Sequence, residues 1–409
     1  MTWFAGFSWL STILTSVMLL KWLRNSPSVW VRPSFIFIAS LHLTTQWASA
    51  ANAVWIDTYL LDPWGYFWVI QGFPPMAILV ARQFHLKAME GVLKPIRELS
   101  GEGSRTFYLI ICLLSFVSLM VMTWYLSVVP YYKTGLYGAF FNSSESALLR
   151  ENSLKLLNNH WLKYAYAIFS RTIAPLLVVL LLMTFGFKSQ LRRIVRWPIL
   201  LVGVSSILVS VSIYGARAPA LMILAVMGYA TTLMYGQKIK SGWILFAGIP
   251  ALLAPITISF FRVNKERTLE QFFLACVDLI DRIVSASTVD AVWHAAFYES
   301  FGGVGIRGIG NIVRIVGLEP IDVFNQVGRL FSLSGIDSVT ANTTFVMAYY
   351  ACFGLLGVVI SLALLPLMDS VVYFYRLLSP TLLVPCVASV QIAAIYFSAT
   401  HFTAALLTF

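Results

Sequence analysis

Ten stretches of apolar residues, separated by polar connections, run along the chain. Most of them are roughly 16 to 25 residues long, the length at which an α-helix crosses the hydrocarbon core of a bilayer. They cover residues 3–20, 35–56, 64–80, 107–128, 170–187, 198–213, 218–235, 243–261, 344–368 and 378–407. Hydrocarbon offers backbone groups no hydrogen-bond partner, so each stretch is predicted to be a helix. The alternating apolar and polar positions of a membrane barrel are absent from the sequence.

The composition agrees with this pattern. Hydrophobic residues make up 59% of the chain and charged residues only 11%, whereas soluble domains carry about 25% charged residues. The sequence therefore predicts an all-α polytopic integral membrane protein, with residues 1–409 forming a single membrane domain of about ten transmembrane helices.

Lysine and arginine are concentrated in every second connection. The segments "KWLRNSPSVWVRP", "RQFHLKAMEGVLKPIRELSGEGSR", "KSQLRRIVRW" and "GQKIKSG" are basic, whereas "DTYLLDP" carries two acids and no base. Short basic loops remain in the cytoplasm, so both termini are predicted to face away from it. The net charge of +11 follows in part from this orientation and gives no reason to expect a nucleic-acid partner.

Two connections on the outward side are long. They cover residues 130–168 and 262–342, and the second holds nine of the seventeen acidic residues of the chain. Within it, "TLEQFFLACVDLIDRIVSASTVDAVWHAAFYESF" is predicted to form a helix on or near the membrane face. The second connection is thus a large, partly helical loop.

Three arginines are predicted to lie at a similar depth near the outward membrane boundary. Arg171 opens the fifth stretch, Arg217 lies in the turn "YGARAPAL", and Arg262 ends the eighth stretch, with Arg267 just after it. Each alone is explained by a side chain that reaches for lipid phosphates. Guanidinium is always charged and binds two oxygens at once, so arginines from separate parts of the chain favour a shared phosphate or diphosphate ligand.

The turn "GAR" between two short spans, the arginines that open the large loop, and the closing segment "ANTTFVMAYYACFGLLGVVIS" carry a family resemblance. Over roughly residues 198–361 the chain resembles the Wzy-type O-antigen polymerases, which are related to the O-antigen ligases. The resemblance implies a GT-C-like fold in the bacterial inner (cytoplasmic) membrane, with an active site that faces the periplasm. It would make 130–168 and 262–342 periplasmic loops.

The resemblance also implies an activity. Such enzymes are glycosyltransferases that need neither a metal nor another cofactor, and they polymerise oligosaccharide repeat units linked to undecaprenyl diphosphate into O-antigen or a related surface polysaccharide. Arg217, and Arg262 or Arg267, match arginines that hold the diphosphate in this family. Partners implied are a lipid-linked donor and acceptor, membrane lipids and a chain-length regulator protein.

Displacement at an anomeric carbon also needs a group that takes the proton of the acceptor hydroxyl. O-antigen ligases place a histidine and an asparagine before the closing helix, where this chain has Asn342 but no histidine, so Asp337 is the nearest candidate base. An alternative is the pair Asp290 and His294, spaced so that the carboxylate can orient the ring on a helical face. Glu299 follows about one turn later.

Residues with metal-binding side chains lack the spacing of a metal site. The four cysteines, Cys112, Cys276, Cys352 and Cys386, form no CxxC motif and are expected to be packing residues. A histidine inside the second apolar stretch, His42, is expected to be a packing residue with satisfied hydrogen bonds.

Three alternative functions stay open from the sequence. An O-antigen ligase would be expected to carry the missing histidine. A glycosyltransferase with a lipid-phosphate sugar donor would place acids in the first outward loop, where Asp57 and Asp62 lie without a paired-acid motif. A flippase or exporter of lipid-linked glycan favours twelve or more spans and charges in the middle of the membrane, whereas the charges here are concentrated outside the spans.

Overall fold

The computed structural model describes residues 2–26, 29, 31–83, 105–141, 149, 152–153, 156–157, 159–185, 192–213, 223–224, 226–231, 233, 270, 273–274, 277, 287–309, 311–331, 341, 343–375 and 380–396. Within these residues every regular element is helical. They fall into two compact units. The first unit lies within Met1–Gly91, Asp278–Tyr375 and Ala393–Leu407. The second unit lies within Val92–Val277, Arg376–Ile392 and Thr408–Phe409.

Among the described residues, the α-helices follow one another with three π turns and three short 3-10 helices between them. The α-helices are α1 (Trp3–Asn25), α2 (Pro33–Leu41), α3 (Trp47–Ala51), α4 (Ala53–Tyr59), α5 (Pro63–Phe67), α6 (Phe73–Gln83), α7 (Arg105–Val128), α8 (Gly135–Phe141), α9 (His160–Ile168), α10 (Ala174–Phe185), α11 (Arg193–Ser212), α12 (Ser287–Phe301), α13 (Val323–Phe331), α14 (Phe345–Phe353), α15 (Leu355–Tyr375) and α16 (Pro380–Tyr396). The π turns are His42–Gln46, Trp68–Gly72 and Phe169–Ile173, and the 3-10 helices are Tyr131–Lys133, Gly305–Ile309 and Asn311–Val316.

Among the described residues, six helices are long and apolar enough to cross a membrane. They are Trp3–Asn25, Pro63–Gln83, Tyr108–Val128, Trp161–Phe185, Ile194–Ser212 and Leu355–Tyr375. The prediction of an all-α protein with membrane-spanning helices is thereby confirmed at this level. The count of ten stays a prediction. The stretch 35–56 is described as α2, a π turn, α3 and α4 and is not among the six. The stretches 218–235, 243–261 and 378–407 lie partly or wholly outside the described residues.

The first unit packs α1, the chain from α2 to α6, α12, α14 and α15 around one apolar core, and α13 forms a second cluster with residues of α12 and α14. Aromatic side chains join its elements at both ends: Phe4 of α1 packs edge-on against Trp64, and Trp22 packs edge-on against Phe35. The start of α1 therefore lies at the same end of the first unit as the start of α5, and the end of α1 lies beside the start of α2.

The predicted span 344–368 has different bounds in the structure. The chain breaks at Gly354, so that α14 ends at Phe353 and the spanning helix α15 begins at Leu355. Gly354 has φ of 61° and ψ of −144°, a combination that residues with a Cβ rarely adopt. The Tyr298 hydroxyl also occupies the place of a Cβ on Gly354. A single glycine thus splits one apolar stretch into two helices.

Replacing this glycine is expected to destabilise the fold. Gly354→Ala should lower the free energy of unfolding by about 2–3 kcal/mol, because it adds backbone strain and a collision with Tyr298. Gly302→Ala is the matched control: Gly302 also has a positive φ, of 70°, but no atom lies within 4 Å of its added Cβ. Denaturant titration in mixed micelles measures both, and equal losses in the two variants would contradict the collision.

Only part of the helix predicted to lie on or near the membrane face lies inside the bundle. Its second half, α12, places Ala291, Val292, Ala295 and Ala296 in the core of the first unit, whereas the described residues of its first half, Glu270, Phe273, Leu274 and Val277, are exposed. It packs against α14, α13, α3 and α5. Small side chains allow this close approach between helices, so α12 belongs to the helix bundle and not to its surface.

A buried ion pair lies at the end of the first unit where α1 ends. Arg32 is 2% exposed and Asp369 1% exposed, and their side chains meet at 2.8 Å. Arg32 also donates to the Ala81 carbonyl at 2.8 Å and lies over the Trp22 ring. Asp369 accepts from the backbone N–H and the hydroxyl of Ser34. The pair joins α15 to the start of α2 and the end of α6.

The second unit contains α7, α9 to α11 and the π turn between α9 and α10. Its core includes Tyr125 of α7, Phe169 of the π turn, Val178 of α10 and Val211 of α11. The helix that carries Arg171 begins before the predicted stretch 170–187, and the depth of Arg171 in the membrane stays a prediction. The spanning helix begins at Trp161, so Arg171 follows its first residue by about 15 Å along the axis. The side chain is exposed.

Candidate functional site

The structure describes four of the eight site residues predicted from the sequence. Arg171, Asp290, His294 and Glu299 are described, and Arg171 belongs to the second unit while the other three lie on α12 of the first. The remaining four, Arg217, Arg262, Arg267 and Asp337, lie outside the described residues. Their predicted roles are therefore unchanged by the structure.

The side chain of Glu299 holds the connection between α4 and α5. Its Oε2 accepts a hydrogen bond from the backbone N–H of Leu61 at 3.1 Å, and its Oε1 accepts from that of Asp62 at 2.9 Å. The predicted candidate Glu299 thus acts on the backbone of the first outward loop, at the last turn of α12.

The carboxylate of Asp62 lies at the start of α5. Its Oδ1 accepts from the backbone N–H of Gly65 at 3.3 Å, which caps the helix. A Cβ added to Gly65 would lie 3.1 Å from Asp62 Oδ2 and would collide with the Tyr350 hydroxyl. The Asp62 side chain is exposed, so an acceptor hydroxyl can reach this carboxylate from outside the bundle.

Two tyrosines complete this constellation. The rings of Tyr298 and Tyr350 have centroids 4.9 Å apart, and Tyr350 lies on α14, which is outside the six spanning helices. Burial raises the pKa of Tyr350, and the neighbouring charges of Asp62 and Glu299 raise it further. The phenol therefore stays protonated beside two carboxylates. We call Asp62, Gly65, Tyr298, Glu299 and Tyr350 the Asp62–Glu299 site.

The predicted pair Asp290 and His294 has a different arrangement. His294 Nδ1 lies 2.7 Å from the backbone carbonyl of Asp290, which only accepts, so the ring donates to the main chain and not to the carboxylate. The ring is fully buried and packs edge-on against Phe324. Burial lowers the pKa of His294 to about 4. Its Nε2 has no hydrogen-bond partner in the part of the chain that the structure describes. A neutral ring without access to solvent is poorly placed to serve an acceptor hydroxyl.

Metal ligands are not gathered anywhere in the described residues: no group of three His, Cys, Asp or Glu side chains there is arranged to hold an ion. Of the cysteines in that part, Cys352 is buried in the first unit beside Gly308. Asp57 and Asp62, the acids of the first outward loop, lie on α4 and at the cap of α5.

Sequence reasoning named Glu299 and Asp62 but assigned them to different hypotheses. They are separated by 237 positions in the chain, and no local spacing joins them. One sequence signal was available for Asp62, because an aspartate directly before Pro63 is typical of the residue that caps a helix. Comparisons with protein-family models, curated proteins and solved structures gave no match.

Proposed function

We propose that this protein is a membrane glycosyltransferase that polymerises oligosaccharide repeat units linked to undecaprenyl diphosphate, with the Asp62–Glu299 site at the acceptor hydroxyl. The observation that carries the proposal is an exposed carboxylate, Asp62, whose backbone is held by a second carboxylate at the end of the bundle where α1 begins. The positive-inside pattern predicts that this end faces away from the cytoplasm. Lipid-linked repeat units are polymerised on that side.

Asp62 is the proposed base and Glu299 its positioning residue. Both oxygens of Glu299 are engaged by backbone N–H groups, so this side chain holds the loop. Asp62 is exposed, and its Oδ1 accepts from the Gly65 N–H. In the reaction, Asp62 takes the proton of the acceptor hydroxyl, while the oxygen of that hydroxyl bonds to the anomeric carbon of the donor.

The bond from that carbon to the diphosphate oxygen breaks in the same step, and undecaprenyl diphosphate leaves with the bonding pair. The negative charge of the diphosphate is offset by arginine side chains. From the family resemblance, we propose Arg217 and either Arg262 or Arg267 for this role. Fixed cations stabilise such a leaving group without a metal ion. The chemistry balances with a donor, an acceptor and a base alone.

The proposed function is tested with purified protein and a lipid-linked repeat unit. A ladder of longer glycans, formed equally with and without a chelator, is the expected result. Arg217→Ala should abolish chain extension and leave single-repeat product, and Arg217→Lys should restore little of it, because lysine cannot bind two oxygens in a fork. Wild-type chain lengths in Arg217→Ala would exclude a role in holding the diphosphate.

A second candidate function is favoured by the position of Asp62 in the first outward loop. A glycosyltransferase that uses a lipid-monophosphate sugar donor would need a base there too, and the contact with Glu299 supplies the second acid that the sequence lacked. Parallel assays with monophosphate-linked and diphosphate-linked donors separate the two. We expect product only with the diphosphate-linked donor.

A further inference from the structure

A cluster of polar side chains lies inside the first unit, between α1 and two π turns. Gln46 ends the first π turn and Gln71 lies in the second, and both side chains are fully buried. The cluster also contains Ser11, Thr12, Thr15 and Ser16 of α1 and His42 of the first π turn. Buried polar groups inside a membrane bundle cost free energy unless they are paired, and they mark functional positions.

The two glutamines exchange hydrogen bonds. Gln46 Nε2 donates to the backbone carbonyl of Gln71 at 3.1 Å, and Gln71 Nε2 donates to the backbone carbonyl of Gln46 at 3.0 Å. A π turn widens the helix and opens its carbonyl groups to partners from outside. Each π turn is therefore bonded to the side chain that the other one carries.

Neighbouring side chains fix both amides. His42 and Trp47 set the orientation of Gln46: the indole N–H donates to His42 Nε2 at 3.0 Å, so His42 Nδ1 carries the proton and donates to Gln46 Oε1 at 2.6 Å. Thr12 donates to Gln71 Oε1 at 3.0 Å. The expectation that His42 is a satisfied packing histidine is confirmed. Its role extends further, because it sets which way the Gln46 amide faces.

The two π turns bracket one part of the chain. Residues Trp47–Phe67, which form α3, α4 and α5, lie between them and carry Leu61 and Asp62 at their tip. We call residues 47–67 the hairpin. An extra residue in a helical turn rotates all that follows by about 100°, since a regular helix has 3.6 residues per turn. The π turns therefore set the rotation of both arms of the hairpin relative to α2 and α6.

We propose that Gln46 and Gln71 are positioning residues for Asp62: by locking the two π turns to each other, they fix the hairpin and place the Asp62 carboxylate beside Glu299 and Tyr350. This inference rests on the proposed function, in which Asp62 is the base. Loss of either amide frees one π turn to close into a regular helix and turns the hairpin tip away from α12.

The test measures the position of the hairpin directly. Spin labels are placed at Leu61 and Leu367, which are 91% and 59% exposed, in a chain whose four native cysteines are replaced by alanine. Gln46→Leu and Gln71→Leu are each expected to shift or broaden the label–label distance distribution by several ångströms. The double variant should change the distance little more than either single variant, because the loss of one amide already breaks the pair of hydrogen bonds between the two π turns.

A matched control removes a hydrogen bond inside the hairpin. Ser49 and the Tyr66 hydroxyl join α3 to α5, so Ser49→Ala weakens the hairpin without touching the π turns and should leave the distance unchanged. Thr12→Val, which keeps both glutamine amides and removes the hydroxyl that contacts Gln71 Oε1 and the Ser8 carbonyl, is the milder variant if the leucine variants are not recovered folded. It is expected to give the same shift at smaller amplitude.

Chain extension is measured on the same variants at saturating substrate. We expect turnover to fall roughly tenfold or more in Gln46→Leu and Gln71→Leu, with KM near that of the parent chain. Unchanged distances would overturn the inference. Shifted distances with full turnover would also overturn the positioning role but leave the proposed function standing. A parent chain that forms no ladder with any lipid-linked repeat unit would instead count against the proposed function.

Discussion

Asp62→Asn is expected to lower the rate of chain extension by about 100-fold or more, the usual contribution of a positioned general base. The amide keeps the size of the side chain and an oxygen that accepts from the Gly65 N–H, so the cap of α5 is retained. Only the capacity to take a proton is lost. Single-turnover assays with a lipid-linked donor and acceptor measure the rate, and KM should remain near the wild-type value.

Two variants make this result specific. Asp57→Asn changes an acid of the same loop region, which lies on α4, and should extend chains at the wild-type rate. Glu299→Gln keeps one acceptor oxygen for the backbone of the loop and loses the second, so we expect a roughly tenfold loss, equivalent to about 1.4 kcal/mol. Wild-type extension by Asp62→Asn would exclude Asp62 as the base, whatever Glu299→Gln does.

Breaking the buried ion pair is expected to have the largest effect on stability. Asp369→Ala leaves the Arg32 charge buried, with an exposed fraction of 2%, and deprives the Ser34 N–H and hydroxyl of their acceptor. Removal of one partner of a buried pair costs about 3–5 kcal/mol. The free energy of unfolding in mixed micelles should fall by that amount, and the yield of folded protein should fall with it.

Removing both charges should recover much of this loss. The double variant Arg32→Met and Asp369→Leu replaces the pair with apolar side chains of similar size, which is often neutral or stabilising. Arg24→Ala, at the exposed last turn of α1, serves as a control and should change the free energy of unfolding by less than about 0.5 kcal/mol. A double variant as unstable as Asp369→Ala would show that the charges themselves are required.

Helix formation and membrane insertion were predictable because they depend on local composition. An apolar stretch of sufficient length has one stable state in hydrocarbon, and the described stretches at residues 3–20, 64–80, 107–128 and 198–213 each contain a helix that the structure places close to the predicted bounds. Two of the predicted bounds differ from the structure. Gly354 divides one stretch because its backbone conformation excludes a side chain. The helix that carries Arg171 begins well before its apolar stretch.

The site was harder to predict for a related reason. Glu299 was named from its place on a helix and Asp62 from its place in a loop, but their contact joins residues 237 positions apart. Asp290 and His294 had favourable spacing, yet the ring turned to the backbone carbonyl and was buried. Spacing along a helix fixes which side chains share a face, and it does not fix which atom they bind or whether water reaches them.

The sequence by itself determined that the chain is a bundle of membrane helices, since hydropathy and loop charge are properties of segments taken one at a time. Only the tertiary structure decided that Asp62 meets Glu299, that Arg32 pairs with Asp369 and that Gln46 and Gln71 bond across two helices. Buried polar groups must find partners wherever the packing brings them. Those partners come from distant parts of the chain, so no segment carries the information alone.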